Sequence, residues 1–420
     1  MLGILAKRGC LPVPDPSKAD ILIVNTCGFI EEAKAESIEA ILDAARLKKR
    51  GRRPKLVVTG CLAQRYGGEL AREFPEIDVL AGIDDVGRIA DLLEDGAPPP
   101  GSFPLPRSLA DARAPRRLLG PPYSAFLKIS EGCDMRCAFC AIPAIRGRFR
   151  SRPIEDVVKE ARHLAGDGVR ELNLVAQDTS GYGRDLYGKP RLVDLLRRLS
   201  GVEGLEWVRI HYLDPARVTM DLVRAVADLP RVCPYFDVPL QHVNARVLRS
   251  MNRVGNRAVF ERMIRGIRDV SPEAALRTTF IVGYPGETEA EFGELLEFVA
   301  EARFDHAGFF AYSREEGTAA ADLPGQWDEP VRIERLNRAN RVQEAVAPAA
   351  HERWLGAVRR MVVEGVSGGK TWGRVDLQAP EVDGVTWLEG ARGPAKGTWI
   401  DVEVTDLAGP DLIGRRKGKA

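Results

Sequence analysis

At 420 residues the chain is too long for one core and should divide into two or three domains. Its 45% apolar and 29% charged residues are ordinary for a soluble globular protein, and a formal net charge of +1 gives no global pull toward nucleic acid or anionic membrane. No apolar stretch is long enough to span a bilayer, the opening Met1-Leu-Gly-Ile-Leu-Ala-Lys-Arg-Gly is too short and carries its charges at the wrong end for a signal peptide, and an odd count of seven cysteines argues against a disulfide framework and for a reducing cytoplasm.

Residues 1–96 alternate strand and helix. A β-branched run at Ile21–Asn25 precedes a helical pattern over Glu31–Lys49; Lys55–Thr59 precedes a helix over Leu62–Glu73; Asp78–Gly82 and Asp84–Glu94 repeat the unit. This pattern predicts a doubly wound parallel α/β domain. Cys27 and Cys61 each end a predicted parallel strand, where ligands gather in such sheets. They read either as a second metal site or as two buried thiols serving as small hydrophobes. The basic run Arg46–Lys55 reads as a solvated helix end. Residues 97–120 are rich in Pro, Gly and Arg, which marks a linker.

From 121 to 350 the alternation continues through six predicted strands: Ala125–Ser130, Glu171–Ala176, Trp207–Tyr212, Tyr235–Val238, Thr278–Val282 and Gly308–Tyr312. Amphipathic helices lie between most of them, among them Ile154–Ala165, Leu192–Leu199 and Glu289–Ala302, and a long helix from Pro330 to about Val346 closes the domain. Six units fit a partial (βα)6 barrel with its chemistry at the C-terminal strand ends. Directly after the first strand comes Cys133-x3-Cys137-x2-Cys140. Three thiolates in one loop can hold three irons of a cubane cluster and leave the fourth open to an outside ligand, the mark of a catalytic site. Gln177 and Asp178, His211, and Gln241 and His242 end further strands; Gly283 lies in the strand–glycine–helix run Thr278–Thr288, and Cys233 reads as structural. Residues 354–420 change to short alternating strands, Val358–Glu364, Thr371–Leu377, Val385–Leu388 and Trp399–Val404, which predicts a small all-β, OB-like barrel. Between residues 355 and 414 there are six Lys/Arg against nine Asp/Glu, an excess of acid that would repel tRNA and suit a basic protein, and the tail Arg415-Arg-Lys-Gly-Lys reads as a solvated end.

Several motifs together resemble the methylthiotransferase family of radical S-adenosylmethionine enzymes over nearly the whole chain: Asn25-Thr-Cys-Gly-Phe, Val58-Thr-Gly-Cys-Leu-Ala-Gln-Arg, the Cys133–Cys140 loop followed by Ala-Ile-Pro and Arg146-Gly, and Val282-Gly-Tyr-Pro-Gly-Glu-Thr. The text Lys128-Ile-Ser-Glu-Gly-Cys, with Asp237-Val-Pro-Leu-Gln-His, is similar to the branch that adds a methylthio group to the β-carbon of an aspartate in small-subunit ribosomal protein twelve. The resemblance implies two 4Fe–4S clusters. One is held by Cys133, Cys137 and Cys140 and chelates S-adenosylmethionine, with Phe139 against the adenine and Gln177 and Gly283 also placed at the cofactor; the other is held by Cys27 and Cys61. It implies a carboxy-terminal TRAM barrel, a basic ribosomal protein as substrate, a sulfide source, a one-electron reductant, and no catalytic side chain separate from the cofactors. Chemistry at an unactivated β-carbon exceeds general acid–base catalysis and calls for a radical route. The rival readings are the sister branch, which modifies an adenosine of tRNA, and a non-catalytic iron–sulfur protein. One departure stands out. The family's second cluster takes a third cysteine from a strand before a helix similar to Met1–Arg8, and Cys10 aligns with no family ligand, so the expectation is an amino-terminal domain incomplete at its start or, failing that, a second cluster held by two thiols and something else.

Overall fold

The computed structural model describes residues 1–49, 54–95, 103–390 and 393–418. The chain forms two compact units that do not follow its order: the first holds Met1–Leu119, Glu131–Arg150 and Ser313–Asp322, the second Gly120–Ser130, Ser151–Tyr312 and Leu323–Ala420.

In the first unit, β1 (Ile21–Thr26), β2 (Lys55–Gly60) and β3 (Val79–Ala81) form a parallel sheet in that order. Both faces are covered, so the strands are almost continuously apolar. Leu22, Leu56, Val58 and Leu80 pack on Ile41 and Ala44 of α2 (Glu31–Lys49) and on Leu62, Ala63 and Leu70 of α3 (Cys61–Glu73). On the other face Val57, Val79 and Ala81 meet Leu5 of α1 (Leu2–Lys7) and Ile89, Ala90 and Leu93 of α4 (Ile89–Asp95), with Cys10 packed among these apolar groups. Of the Pro- and Arg-rich stretch, residues 96–102 lie outside the described residues. Residues 103–119 run without helix or strand, and the Gln64 amide donates to the carbonyls of Phe103 and Pro104, at 3.3 and 3.0 Å. Of the basic run, residues 50–53 lie outside the described residues; Arg46 pairs with Asp43 and Lys48 with Asp78, both at 2.5 Å.

All six predicted strands of the second unit are present and parallel. Ser124–Lys128, Glu171–Val175 and Trp207–Ile210 form one three-stranded sheet; Tyr235–Asp237, Ala275–Val282 and His306–Ala311 form another. The sheets are joined where the Cys233 N–H donates to the Val208 carbonyl (3.0 Å) and the Leu213 N–H to the Asp237 carbonyl (2.8 Å). The intervening helices have apolar inner faces; Glu289–Ala302 begins at a capping box of Thr288 and Glu291. The last helix runs Glu329–His351, past its predicted end, because Ala347, Ala350 and His351 are still buried there.

The carboxy-terminal strands close into a five-stranded barrel: Val358–Ser367, Lys370–Val375, Thr386–Leu388, Trp399–Ala408 and Asp411–Arg416. The fifth strand corrects the reading of the tail. Leu412 is fully buried, Arg415 pairs with Glu389 (2.8 Å) and Lys417 with Glu403 (2.9 Å), while Lys419 lies outside the described residues. The three bases Arg415, Arg416 and Lys417 cancel the excess of acid counted up to residue 414, a count that includes Arg392, itself outside the described residues. Asp383, one of those acids, is wholly buried beside Arg277 and Tyr235. The barrel therefore lacks the acidic excess expected of it.

Trp354, Met361, Val375 and Val402 of the barrel region share one core cluster with Tyr123, Trp207 and Tyr235. At the same junction Arg374 donates to both oxygens of Glu171, at 2.9 and 2.7 Å, and Ser124 Oγ donates to Glu171 as well (2.7 Å). Burial alone would raise the Glu171 pKa, but the Arg374 charge and hydrogen bonds bring it down to about 2. Replacing Arg374 with Met strands this carboxylate and should cost ~3–5 kcal/mol in chemical denaturation, whereas the double variant R374M/E171Q should cost much less than the single one. Two acid windows are expected in thermal melts. His351, buried against Trp354, has its pKa lowered to about 4 by burial, so stability falls as pH drops from the ordinary imidazole value of 6.5 toward 4. Glu171 adds a second loss as pH drops from about 4.5 toward 2. H351Q should flatten the first window and leave the second.

Candidate metal centre

β1 and β2 pair in register, with Thr26 opposite Gly60, so Cys27 and Cys61 are the next residues at equivalent strand ends. Gly60 has φ +104°, and a Cβ there would stand 2.3 Å from the Thr26 carbonyl oxygen, so only glycine allows this approach. A Cβ at Gly28 would come within 2.9 Å of the Leu62 backbone, which lays the loop after β1 on the start of α3. Cys27 is exposed; its N–H donates to Ser37 Oγ (2.9 Å), which donates back to the Cys27 carbonyl (3.1 Å). Cys61 is buried at the first residue of α3, and its sulfur accepts from Arg146 Nη2 at 3.0 Å.

The Cys133–Cys140 loop belongs to this same unit. All three of its cysteines are half-buried, and all seven in the chain carry unbridged thiols. The Cys133 N–H donates to the Gly147 carbonyl (3.2 Å), the Cys140 N–H to the Cys137 carbonyl (3.1 Å), and the Met135 N–H to Cys133 Sγ (3.4 Å). Gly132, at φ +77°, would put a Cβ 2.2 Å from the Arg148 carbonyl oxygen. The loop runs into a short helix, α5 (Ile142–Arg146), whose Ile145 packs with Ala141 and Cys61. Arg146 also donates to the buried Glu131 at 2.7 Å. Burial opposes the guanidinium charge, but Glu131 and Cys61 together hold its pKa above the ordinary value.

A third segment, Ser313–Asp322, ties the two cysteine regions together. Glu315, almost fully buried, takes Arg65 (2.8 Å) and Lys34 (3.2 Å) on one oxygen and the Ser313 hydroxyl (2.8 Å) on the other. Arg65 also donates to the Gly28 carbonyl (3.0 Å), next to Cys27. At the other end of the segment the Ala320 N–H donates to the Ala138 carbonyl (2.8 Å), inside the Cys133–Cys140 loop. The sequence reading missed Arg65, Arg146, Glu131 and Glu315. Arg65, Glu131 and Arg146 stand within the quoted motifs, which is the one signal that could have flagged them.

The structure thus gathers Cys27, Cys61, Cys133, Cys137, Cys140 and the half-buried Phe139 in one unit, while Gln177 and Gly283 belong to the other. Gly283, at φ +68°, leaves room for Arg332, whose side chain would lie 2.7 Å from an added Cβ, and donates its N–H to Glu287 (2.7 Å). His242 is buried and satisfied, with Nε2 on Glu287 (3.0 Å) and Nδ1 accepting from the Asn244 N–H (3.0 Å). His211 lies between Asn173 (3.3 Å) and Asp237 (3.6 Å), and Asp178 takes Arg217 at 2.5 Å. Cys233 is a core thiol pushed up to about 12 by burial. Among the described residues no three His, Cys, Asp or Glu side chains stand close enough to cage a single ion. A cubane spreads its thiolates over separate irons, and the three unbridged, half-buried thiols of the Cys133–Cys140 loop suit one; the matched strand ends offer two thiols, Cys27 and Cys61, one short of the set the family's second cluster takes.

Comparison with known proteins follows the same division. The Radical SAM superfamily matches residues 127–299, the Uncharacterized protein family UPF0004 residues 1–82, and the TRAM domain residues 355–416. A solved radical S-adenosylmethionine methyltransferase, TsrM from Kitasatospora setae, matches with a TM-score of 0.53 at 16% identity, over 71% of this chain and 62% of that one, a likeness of fold. Proteins named ribosomal protein uS12 methylthiotransferase RimO are 46% identical in Symbiobacterium thermophilum (99% of this chain, 87% of the relative) and 47% identical in Pelotomaculum thermopropionicum (99% and 94%). A third, from Anaeromyxobacter sp., is 47% identical over 99% of this chain and 89% of its own length. With the cysteine loop, the paired strand-end thiols and the five-stranded barrel all in place, the chain belongs to the uS12 methylthiotransferase RimO family.

Proposed function

We propose that the protein is a radical S-adenosylmethionine methylthiotransferase, adding a methylthio group to the β-carbon of an aspartate in ribosomal protein uS12. The observation that carries this reading is the gathering of five thiols, from three distant stretches of sequence, in one compact unit. Cys133, Cys137 and Cys140 would hold a 4Fe–4S cluster with S-adenosylmethionine, beside Phe139, and Cys27 and Cys61 would hold a second. When bound, these groups supply the one-electron chemistry that side-chain acids and bases lack at an unactivated carbon. The chain's own residues fix the cluster loops: Gly132 and Gly147 shape one, and Gly28, Gly60 and Arg65 shape the other. Gln177 and Gly283 are assigned to the cofactor on resemblance alone, since the partners seen for Gly283 are Glu287 and Arg332.

The names of the relatives favour a protein substrate over tRNA; the balanced charge of the barrel does not discriminate between them. A sulfide source and a one-electron reductant complete the reaction, and unbridged thiols suit the cytoplasm as its site. Among the described residues no helix is long and apolar enough to cross a membrane. C137A should abolish 5′-deoxyadenosine formation by anaerobically reconstituted protein, and retained cleavage would refute the assignment of that loop. Mass spectrometry of a strain lacking the gene should show uS12 without its methylthio-aspartate; loss of methylthio-adenosine from tRNA instead would move the enzyme to the sister branch.

A further inference from the structure

Six non-glycine residues among those described take a left-handed backbone, and Tyr212, at φ +60°, is the sole aromatic of the six. A bulky side chain rarely occupies that region, and strained residues of this kind persist where their surroundings impose them, most often at functional sites. Here the surroundings hold both backbone groups. The Tyr212 N–H donates to the carboxylate of Asp237 (3.1 Å), the buried last residue of the strand Tyr235–Asp237, and the Tyr212 carbonyl accepts from the Thr179 N–H (3.2 Å). His211 before it and Leu213 after it are buried, while Tyr212 stays 51% exposed. The chain is thus anchored on either side of one outturned ring, just past the C-terminal end of the strand Trp207–Ile210, the end at which folds of this kind place their chemistry.

A tyrosine kept for packing looks different. Tyr182, Tyr235 and Tyr284, all fully buried in the same unit, donate their hydroxyls to Arg152 (2.7 Å), Asp383 (2.6 Å) and Ser250 (3.0 Å). The Tyr212 hydroxyl meets no hydrogen-bond partner among the described residues. Partial burial and the Asp237 carboxylate hold its pKa above the ordinary phenol value, so it remains a donor.

We propose that Tyr212 is a substrate-binding residue, whose phenol donates a hydrogen bond to the side-chain carboxylate of the uS12 aspartate that is modified. The inference rests on the reading of uS12 as the substrate. That carboxylate is bonded to the reacting β-carbon, so a donor fixed through its backbone orients the carbon together with the charge. Because Asp237 and Thr179 hold the turn in the free protein, the donor is in place before the substrate arrives.

The test uses the full chain, anaerobically reconstituted, with uS12 as the ligand. Without reductant, replacing the target aspartate of uS12 by asparagine should weaken binding to the Tyr212 form about tenfold, but to Y212F by less than about threefold, since the phenol that distinguishes the two is gone. With reductant and uS12 deuterated at the aspartate β-carbon, Y212F should lower the share of 5′-deoxyadenosine that carries deuterium about tenfold. Y212N, whose side chain tolerates a left-handed backbone, should show the same loss and melt no lower than the unaltered chain. Equal losses on the asparagine change in both forms, an unchanged deuterium share in Y212F, or a clearly lower melting midpoint in Y212N, the mark of a ring held for packing, each overturns the proposal. Failure of the reading beneath it shows in the unaltered chain itself, which would then take no deuterium from uS12, and the proposal falls with it.

Discussion

The carboxylate of Glu315 fixes the arrangement of the first unit. An acid removed from water to this degree must be met by cations, and two arrive from different helices, Lys34 of α2 and Arg65 of α3. Burial pushes its pKa up, but Arg65, Ser313 and Lys34 outweigh burial and hold it below the usual carboxylate range. A buried triad of this kind gains little net stability over apolar packing. What it determines here is register. The Arg65 guanidinium that satisfies Glu315 also holds the Gly28 carbonyl, and the segment beginning at Ser313 goes on to hold the Ala138 carbonyl. Three chain segments far apart in sequence are thereby set against one another, and each candidate cluster loop has a backbone atom in the chain of contacts.

The second unit solves a related problem with a different acid. Glu287, fully buried, accepts from the Gly283 N–H and is met by His242 and Arg335. The glycine run at Thr278–Thr288 is thus shaped from within by its own glutamate, and His242 serves as that glutamate's partner. Gln241 takes a left-handed backbone (φ +70°), yet its N–H and carbonyl are paired with Thr279 and Ile281 (2.8 Å each). Polar groups at strand ends are therefore spent on building the rim.

Much of this was legible in the sequence. The six parallel strands, both wings of the amino-terminal sheet and the matched positions of Cys27 and Cys61 follow from hydrophobic period and strand-end placement, which are local signals. The fifth strand of the terminal barrel was not, because its Arg415-Arg-Lys looks like a solvated tail until the alternation of Leu412 and Gly414 is given a partner strand. The charge reading failed with it: an acid count that stops at residue 414, inside the last strand, omits the bases that pair with those acids.

The contacts that matter most at the candidate site are those a periodicity cannot carry. Arg146 and Cys61 are 85 residues apart, and Arg65 and Glu315 are 250 apart. Apolar residues disclose which face they bury because burial repeats along the element; an ion pair leaves no such trace, since either partner alone reads as a solvated charge. Both arginines nonetheless close a motif that begins with a cysteine, Cys61-Leu-Ala-Gln-Arg65 and Cys140-Ala-Ile-Pro-Ala-Ile-Arg146. That placement has a physical basis. On a helix, residues four apart share a face, so Arg65 on α3 stays beside the Cys61 end, and Arg146, at the close of α5, is returned to Cys61 by the burial of Ile145. A cation four to six residues past a cysteine, as at Arg65 and Arg146, could be sought in sequence alongside the cysteine spacing itself.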